Sequence, residues 1–258
     1  MTTVKPITSH DNPLLQRLRK LVRDPTAYRK LGSIWLEGEH LCDALRVRGG
    51  QATQAVMSES AWARAGLATL ASTAGSVAVV PDRLFAELST LPSPAGIGFV
   101  LDVPPAPAID PRAPTVVLDR VQDAGNVGSI LRSASALGVR QVLALTGTAG
   151  LWSPKVMRAG MGAQFALRMI EGLDLDALES LQIAMVATSS HGKAELPRAP
   201  LPNPCAWVFG HEGQGVADAL MARCALTVRI PQPGGEESLN VAAAAAICLY
   251  ESARSAGQ

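Results

Sequence analysis

Three polar, glycine-rich turns, with the helices that follow them, contain the residues of this sequence whose types and spacing could do chemistry. They carry two amides, a guanidinium, a carboxylate and a hydroxyl: Asn126, Asn240, Arg132, Glu212 and Ser238. Each turn follows a short apolar run, and that run is predicted to be a β-strand. Glycines let backbone approach a ligand closely, and the Glu212 carboxylate could orient a hydroxyl or a guanidinium. The three turns therefore indicate a candidate site for a polar ligand.

Taken one at a time, these residues also have ordinary structural explanations. Asn126 could cap the helix after its turn, and Arg132 could extend from that helix to solvent instead of meeting a substrate. Ser238 or Asn240 would cap the last helix, whose free backbone N–H groups suit an oxygen-rich ligand. His211, in the second turn, has no identifiable orienting partner and is interpreted as structural. Single turns thus leave both interpretations open.

The last predicted helix carries the sequence VAAAAAICLY at positions 241–250. It is too small and too apolar for a surface helix, so we expect it to be packed on all sides. This longest apolar run is about half of what a bilayer crossing needs, and no apolar leader follows the N-terminus. A soluble protein of the cytoplasm is therefore expected.

Composition excludes several kinds of protein. The 258 residues, 48% of them hydrophobic, suit two modest domains or one large one. The four cysteines show no metal-ligand spacing, so we expect reduced thiols and no metal site. The sequence contains no dinucleotide-binding glycine fingerprint, P-loop or nucleophile-elbow motif. Their absence argues against nicotinamide, P-loop and α/β-hydrolase chemistry.

The pattern of elements predicts two domains. Residues 1–103 alternate short apolar runs with helical patterns, as in a small α/β domain, and residues 104–113 are a proline-rich stretch predicted to be a stiff linker. In residues 114–258 apolar strands alternate with helices, which indicates an α/β fold with a parallel sheet covered on both faces. Ligands of such sheets bind at the carboxyl ends of the strands, where the three turns are expected.

A basic helix is predicted near the N-terminus, starting at Asn12 and Pro13. Leucines recur in it at helical spacing, and we expect four basic residues off the apolar face: Arg17, Arg19, Lys20 and Arg23. Exposed, these residues could neutralise phosphates and bind RNA independently of its sequence. An ordinary solvated helix face explains them equally well, and both interpretations stay open.

Taken together, the three turns resemble the SpoU (TrmH-like) RNA ribose 2'-O-methyltransferases of the SPOUT superfamily. The matching stretches occur in the family's order and are LDRVQDAGNVGSILRSASALGV, VFGHEGQGV and RIPQPGGEESLNVAAAAAICLYE, with SPKVMRAGMGAQF between the first two. The resemblance is strong over residues 112–258. Over residues 1–103 the resemblance is weaker. This part of the chain is similar to the substrate-binding domain that many members carry in front. Ala242 and Gly160 stand where members often carry serine.

The resemblance implies a trefoil knot in the C-terminal domain, a homodimer, and S-adenosylmethionine held in the knotted loops. By motif, Asn126 and Arg132 form the first-motif pair, Glu212 belongs to the second motif, and Ser238 and Asn240 belong to the third. The cofactor is expected to lie against four residues: Thr188, Gly210, Ile230 and Leu239. The implied reaction is methyl transfer to a ribose 2'-hydroxyl, with 23S-type ribosomal RNA favoured by the N-terminal domain.

An arginine with a pKa above about 12 is a poor base for a ribose hydroxyl. Our hypothesis is that Arg132 stabilises the developing alkoxide and binds the adjacent phosphate, while Asn126, Glu212 and Ser238 orient it. Three alternatives remain at this point: a transfer RNA ribose methyltransferase, a non-catalytic RNA-binding member of the family, and an α/β enzyme acting on a small molecule.

Overall fold

The computed structural model describes residues 2–190, 192, 194–235 and 238–256. The chain divides into two compact units. One unit comprises Met1–Pro105 and Trp152–Phe165, and the other comprises Ala106–Leu151 and Ala166–Gln258. Residues 103–110, which include most of the predicted linker, contain no helix or strand.

The first unit is built on a mixed five-stranded sheet. Its strands are β1 (Thr3–Pro6), β2 (Ser33–Glu37), β3 (Gln54–Ser58), β4 (Ser76–Val80) and β5 (Ile97–Asp102). The strand order is β1-β4-β3-β5-β2, and β5 runs antiparallel to β2 and β3 while the other pairs are parallel.

Six helices of the first unit precede its last strand. They are α1 (Pro13–Arg23), α2 (Ala27–Leu31), α3 (Glu39–Val47), α4 (Glu59–Trp62), α5 (Ala65–Ala71) and α6 (Asp82–Ala86). The predicted start of α1 is confirmed: Pro13 opens the helix, and the Asn12 side chain accepts the backbone N–H of Leu14 at 2.9 Å. Its buried side chains include Leu15, Leu18 and Leu21.

The second unit is built on a seven-stranded sheet. Its strands are β6 (Thr115–Asp119), β7 (Gln141–Leu145), β8 (Arg168–Leu173), β9 (Ala184–Thr188), β10 (Ala194–Glu195), β11 (Cys205–Gly210) and β12 (Leu226–Arg229). The order is β10-β12-β9-β11-β6-β7-β8, and every neighbouring pair is parallel. The predicted parallel sheet is confirmed.

Four helices lie in the later part of the sequence: α7 (Ala124–Ala136), α8 (Pro154–Gly160), α9 (Asp218–Met221) and α10 (Val241–Ala256). Helix α8 belongs to the first unit and contacts β2 there. All residues of β6, β7 and β11 are buried, because helices and loops cover both faces of the sheet. Helices α7 and α10 pack against each other.

The expectation that α10 is packed on all sides is wrong for the single chain. Ala245, Cys248 and Leu249 are buried, but Ile247 is 39% exposed and Tyr250 is 58% exposed. The buried face of the helix contacts α7, β11 and the short 3-10 helix Leu196–Arg198 of the second unit. Ile247 and Tyr250 are three positions apart, so they share one exposed apolar face.

The described residues contain no candidate membrane span and no candidate metal-binding cluster. None of the helices in that part of the chain has the length and apolarity needed to cross a membrane. Within the same residues, no group of three or more His, Cys, Asp or Glu side chains is placed to hold a metal ion.

Candidate active site

A cavity of about 640 Å³ lies at the carboxyl ends of β9, β11 and β12. The four residues expected to hold the cofactor all line it: Thr188, Gly210, Ile230 and Leu239. They come from strand ends and loops that are far apart in sequence, and the parallel sheet brings them to one edge. The size suits a small organic ligand, since such pockets usually measure roughly 300–1,000 Å³.

The turn after β11 folds tightly back on itself to form one wall of the cavity. The backbones of His211 and Gly215 exchange two hydrogen bonds, of 3.0 and 2.8 Å. A Cβ atom on Gly210 would lie 2.2 Å from the carbonyl carbon of Gly215, so only glycine fits there. The structural interpretation of His211 is confirmed, because its Nδ1 accepts the backbone N–H of Gly213 at 3.0 Å and of Gln214 at 3.2 Å.

A chain of hydrogen bonds joins the three motifs. The Asn126 amide nitrogen donates to Glu212 Oε1 at 3.1 Å, and the Asn240 amide nitrogen donates to Asn126 Oδ1 at 3.0 Å. Asn240 Oδ1 accepts the backbone N–H groups of Ala242 and Ala243, at 2.9 and 3.2 Å. A carboxylate can only accept and a backbone N–H can only donate, so both ends of the chain fix the orientation of both amides.

Glu212 is also held by the backbone that precedes α7. Its two carboxylate oxygens accept the N–H groups of Asp123 at 3.0 Å and Gln122 at 3.2 Å. Burial pushes the pKa of Glu212 up, but the hydrogen bonds from Asn126 and from these backbone groups outweigh it, and the pKa lies below its ordinary value. Glu212 is therefore an anion at neutral pH and an orienting group, not a proton donor.

Both helix starts at the site are capped by side chains. Of the two residues predicted as alternative caps of α10, Ser238 and Asn240, it is Asn240 that caps the helix. The prediction that Asn126 caps α7 is wrong. The helix begins at Ala124, and its cap is Asp123, whose Oδ1 accepts the backbone N–H of Asn126 at 2.9 Å. The Asn126 side chain is thereby left for Glu212 and Asn240.

Sequence reasoning missed an ion pair beside the cavity. Asp119, at the end of β6, is 3% exposed and accepts the backbone N–H of Ala217 at 2.7 Å. Arg120 binds this carboxylate through Nε at 2.9 Å and Nη2 at 3.2 Å. Its Nη1 donates to Gln214 Oε1 at 2.9 Å. An acidic residue directly after an apolar strand is the signal that could have identified the pair.

Gln232 offers an independent sign that the cavity takes a ligand with hydrogen-bond donors. It lines the cavity, and its Oε1 is buried with no hydrogen-bond partner among the described residues. A buried acceptor of this kind is costly unless a donor meets it. Apolar Ile230 and Leu239 and the hydroxyl of Thr188 also line the cavity. A cofactor with an amine, hydroxyls and a flat apolar ring would fit this combination.

The SpoU rRNA Methylase family model matches residues 113–250, more than half of the chain. The chain belongs to the SpoU rRNA methylase family. Asn126, Glu212 and Asn240, which join the three motifs by hydrogen bonds, all lie within the matched range.

Relatives of this SpoU family member extend over both units. It is 32% identical to the 23S rRNA (uridine(2479)-2'-O)-methyltransferase of Streptomyces viridochromogenes, over 76% of this chain and 72% of that one. It is 27% identical to the 23S rRNA (guanosine(2553)-2'-O)-methyltransferase RlmP of Bacillus subtilis, over 96% and 98%. It resembles the AdoMet-bound rRNA methyltransferase from Sinorhizobium meliloti with a TM-score of 0.84 at 27% identity, covering 98% of each chain.

Two motif residues of this SpoU family member differ in their relation to the cavity. Ser238 lines it. Arg132 is exposed on α7 and is not among the lining residues, and the described residues offer its guanidinium no ion-pair partner. The structure therefore brings together Asn126, Glu212 and Asn240, with Ser238 on the cavity wall, and leaves Arg132 free to meet another molecule.

Two of the four basic residues predicted to be exposed are used inside the first unit. The prediction is wrong for Arg19, which is 8% exposed. Its Nε lies 2.7 Å from Glu87 Oε2, and its Nη1 donates to the His10 carbonyl at 2.8 Å. Burial is tolerated because the charge is paired. Arg17 is half-buried and donates to the Leu31 carbonyl at 2.9 Å.

The other two basic residues border a groove. Lys20 and Arg23 are exposed, and with Lys30 of α2 they line a groove of about 530 Å³ along α1 and α2. Ala27 and Leu31 give part of the groove an apolar lining. The combination suits a nucleic acid, whose phosphates meet the cations while apolar sugar and base surfaces meet the lining.

Proposed function

We propose that this chain transfers a methyl group from S-adenosylmethionine to a ribose 2'-hydroxyl of 23S-type ribosomal RNA in the cytoplasm. The observation that supports this proposal most directly is the hydrogen-bonded chain of Glu212, Asn126 and Asn240. This chain joins all three family motifs beside one cavity. Family membership and the named activities of the relatives support the same reaction. The retained motif residues disfavour a non-catalytic member.

The residues present fit the cofactor, which when bound supplies an electrophilic methyl group on a sulfonium. Ile230 and Leu239 would hold its apolar part, and the unpartnered Gln232 oxygen would accept one of its donors. Fixing a ribose hydroxyl in line with the methyl carbon lowers the barrier without a metal. We assign that positioning to Asn126 and Ser238, with the Glu212 anion orienting Asn126.

Arg132 is proposed to bind the phosphate next to the reacting ribose and to stabilise the negative charge that develops on its oxygen. Its exposure on α7 supports this role, because a guanidinium without a partner among the described residues can form charged hydrogen bonds with RNA. Arg132→Ala should lower the transfer rate by about 100-fold or more while the dissociation constant of S-adenosylmethionine stays unchanged. Undiminished turnover in this variant would exclude the role.

The knot and the homodimer are part of the proposal. The knot is supported by membership of the family alone. The exposed Ile247 and Tyr250 on α10 are an apolar face that a second copy of the chain would cover.

The groove along α1 and α2 of the first unit is proposed to bind the RNA backbone, while the second unit binds the reacting ribose. Replacing Lys20, Arg23 and Lys30 by alanine should weaken binding to 23S rRNA transcripts. It should also reduce the slope of log affinity against log salt by about 2, since each phosphate contact to a single strand contributes roughly 0.7.

A matched control removes three exposed arginines of the same unit outside the groove: Arg48, Arg64 and Arg83. This triple alanine variant has the same net charge as the groove variant. An equal loss of affinity in both variants would show a general charge effect and would count against the groove.

The proposed function is tested with total RNA from a strain that lacks the gene. The protein and methyl-tritiated S-adenosylmethionine are added, and the RNA is separated by size. Label in the large-subunit ribosomal RNA is expected. Label confined to transfer RNA would support the transfer RNA alternative, and absence of label with all RNA classes would contradict the proposal.

A further inference from the structure

The segment 119–126 and the turn 210–217 are tied together at both ends of the turn. Near the start of the turn, Glu212 binds the backbone of Gln122 and Asp123. At its end, the buried Asp119 binds the backbone N–H of Ala217 at 2.7 Å. Between these two attachments, Gln214 is exposed and is held by Arg120.

The contact with Gln214 is made from an unusual backbone conformation of Arg120. Its φ is 57°, in the left-handed region that non-glycine residues rarely adopt. Backbone strain of this kind persists where the surroundings enforce it, often at functional sites. The conformation turns the guanidinium toward Asp119 and Gln214 at once, with distances of 2.9 Å from Nε and from Nη1.

Neighbouring residues keep Arg120 in place. Gly147 leaves room for its side chain, because a Cβ atom there would lie 3.0 Å from the Arg120 Cγ. The Asp119 carboxylate is 4% exposed and orients the guanidinium through two of its nitrogens. One donor is thereby directed at Gln214, which lines the cavity.

We propose that Arg120 is a positioning residue for the cofactor, acting through Gln214 to hold the turn 210–217 in its binding conformation. This inference rests on the proposed function for the identity of the ligand. Without the contact, the turn samples other conformations and must be ordered when the cofactor binds, which weakens binding without changing the reacting groups. The dissociation constant and KM for S-adenosylmethionine should rise, and kcat at saturation should not change.

The test is a double-mutant cycle read by calorimetric binding of S-adenosylmethionine in the absence of RNA. Gln214→Ala leaves the Asp119–Arg120 pair intact, so it keeps the fold while releasing the turn. Arg120→Gly removes the guanidinium and relieves the left-handed backbone. Each variant is expected to bind about tenfold more weakly than the unmodified chain. The double variant should bind S-adenosylmethionine no more weakly than Arg120→Gly. The two single variants and the double variant all lose the same contact, the one between Arg120 and Gln214.

The matched control is Gln182→Ala, which removes a similar partner from another arginine of the same unit. Arg112 donates to Gln182 Oε1 at 2.9 Å, and neither residue lines the cavity. Its affinity should stay within about twofold of the unmodified chain. Hydrogen exchange of the His211 and Gly215 amides should quicken in Gln214→Ala and in Arg120→Gly, and should stay unchanged in Gln182→Ala.

Three results would overturn the inference: unchanged affinity in Gln214→Ala, losses that multiply in the double variant, or an equal loss in Gln182→Ala. These results concern cofactor binding alone. Failure of the proposed function would instead show as cofactor binding without methyl transfer to any RNA, so the two failures are distinguishable.

Discussion

Asn126 connects three segments that lie far apart in sequence. It donates to Glu212 and accepts from Asn240, so the second and third motifs are both oriented by one amide of the first. Because an amide has one donor side and one acceptor side, a carboxylate of the same shape cannot replace it. The residue's chemistry, and not only its size, is required.

Asn126→Asp tests that requirement. The new carboxylate would face Glu212 at the present 3.1 Å, and two like charges at that distance repel and raise a pKa. We expect methyl transfer to fall by roughly 100-fold, measured at saturating cofactor and RNA. Asn12→Asp is the control, because an aspartate at the α1 cap still accepts the Leu14 N–H and should leave the rate unchanged. A fully active Asn126→Asp enzyme would show that the hydrogen-bonded chain is dispensable.

At the residue scale, the sequence was a good guide to which side chains come together. It was a poorer guide to what each side chain contacts and does. The cavity positions followed from motif resemblance, whereas the burial of Arg19 did not, because its partner Glu87 is 68 positions away. Helical spacing from Leu15 also places Arg19 on the buried face, and its charge masked that signal. Arg120 was missed because the left-handed φ of 57° that directs its guanidinium cannot be predicted from the residue type.

At the scale of elements, the turn after β11 is set by a steric limit. Gly210 ends a fully buried strand, and the chain returns so closely that Gly215 occupies the space a side chain would need. The wall of the cavity is therefore shaped by backbone, which has no rotamers to adjust. Any side chain at 210 must displace the turn.

Gly210→Ala should abolish measurable cofactor binding and lower the free energy of unfolding by about 1–3 kcal/mol. Gly66→Ala is the control, because a Cβ atom on this helical glycine meets no atom within 4 Å. That variant should be as stable as the unmodified chain or slightly more so. Calorimetry and urea titration measure the two effects. Normal cofactor affinity in Gly210→Ala would mean that the turn does not form the binding wall.

Sequence patterns predicted the buried strands, among them the edge strand β2 (Ser33–Glu37), and missed the edge strands β1 and β8. Strands β6, β7 and β11 are buried throughout and read as apolar runs. In contrast, β1 is exposed at all four positions, and β8 lies at a sheet edge with Arg168 and Glu171 in it. These two edge strands lack the apolar pattern because part of each strand faces solvent.

At the scale of the whole molecule, the order of the strands could not be read from the sequence. The central pair β6 and β11 is separated by four other strands along the chain, and α8 groups with the first unit although it lies within the predicted second domain. Such long-range pairing is decided by packing and not by local pattern. The proposed division of labour, RNA binding by residues 1–103 and methyl transfer by 114–258, stays a prediction.

The proposed homodimer predicts the behaviour of α10. Replacing Ile247 and Tyr250 together by glutamate should convert a dimer to a monomer, because burying two carboxylates in an apolar interface is costly. Val47→Glu, at a position 68% exposed on α3, is the control and should leave the dimer intact. Analytical ultracentrifugation distinguishes the states. If the unmodified protein sediments as a monomer, the proposed homodimer is wrong.

The chemical position of the transferred methyl group tests the central claim most directly. RNA labelled with methyl-tritiated S-adenosylmethionine is hydrolysed in alkali, which cleaves after every ribose except one whose 2'-oxygen is methylated. The account predicts tritium in alkali-resistant dinucleotides, and loss of that label with Asn126→Asp. Tritium recovered in base-methylated mononucleotides would contradict it.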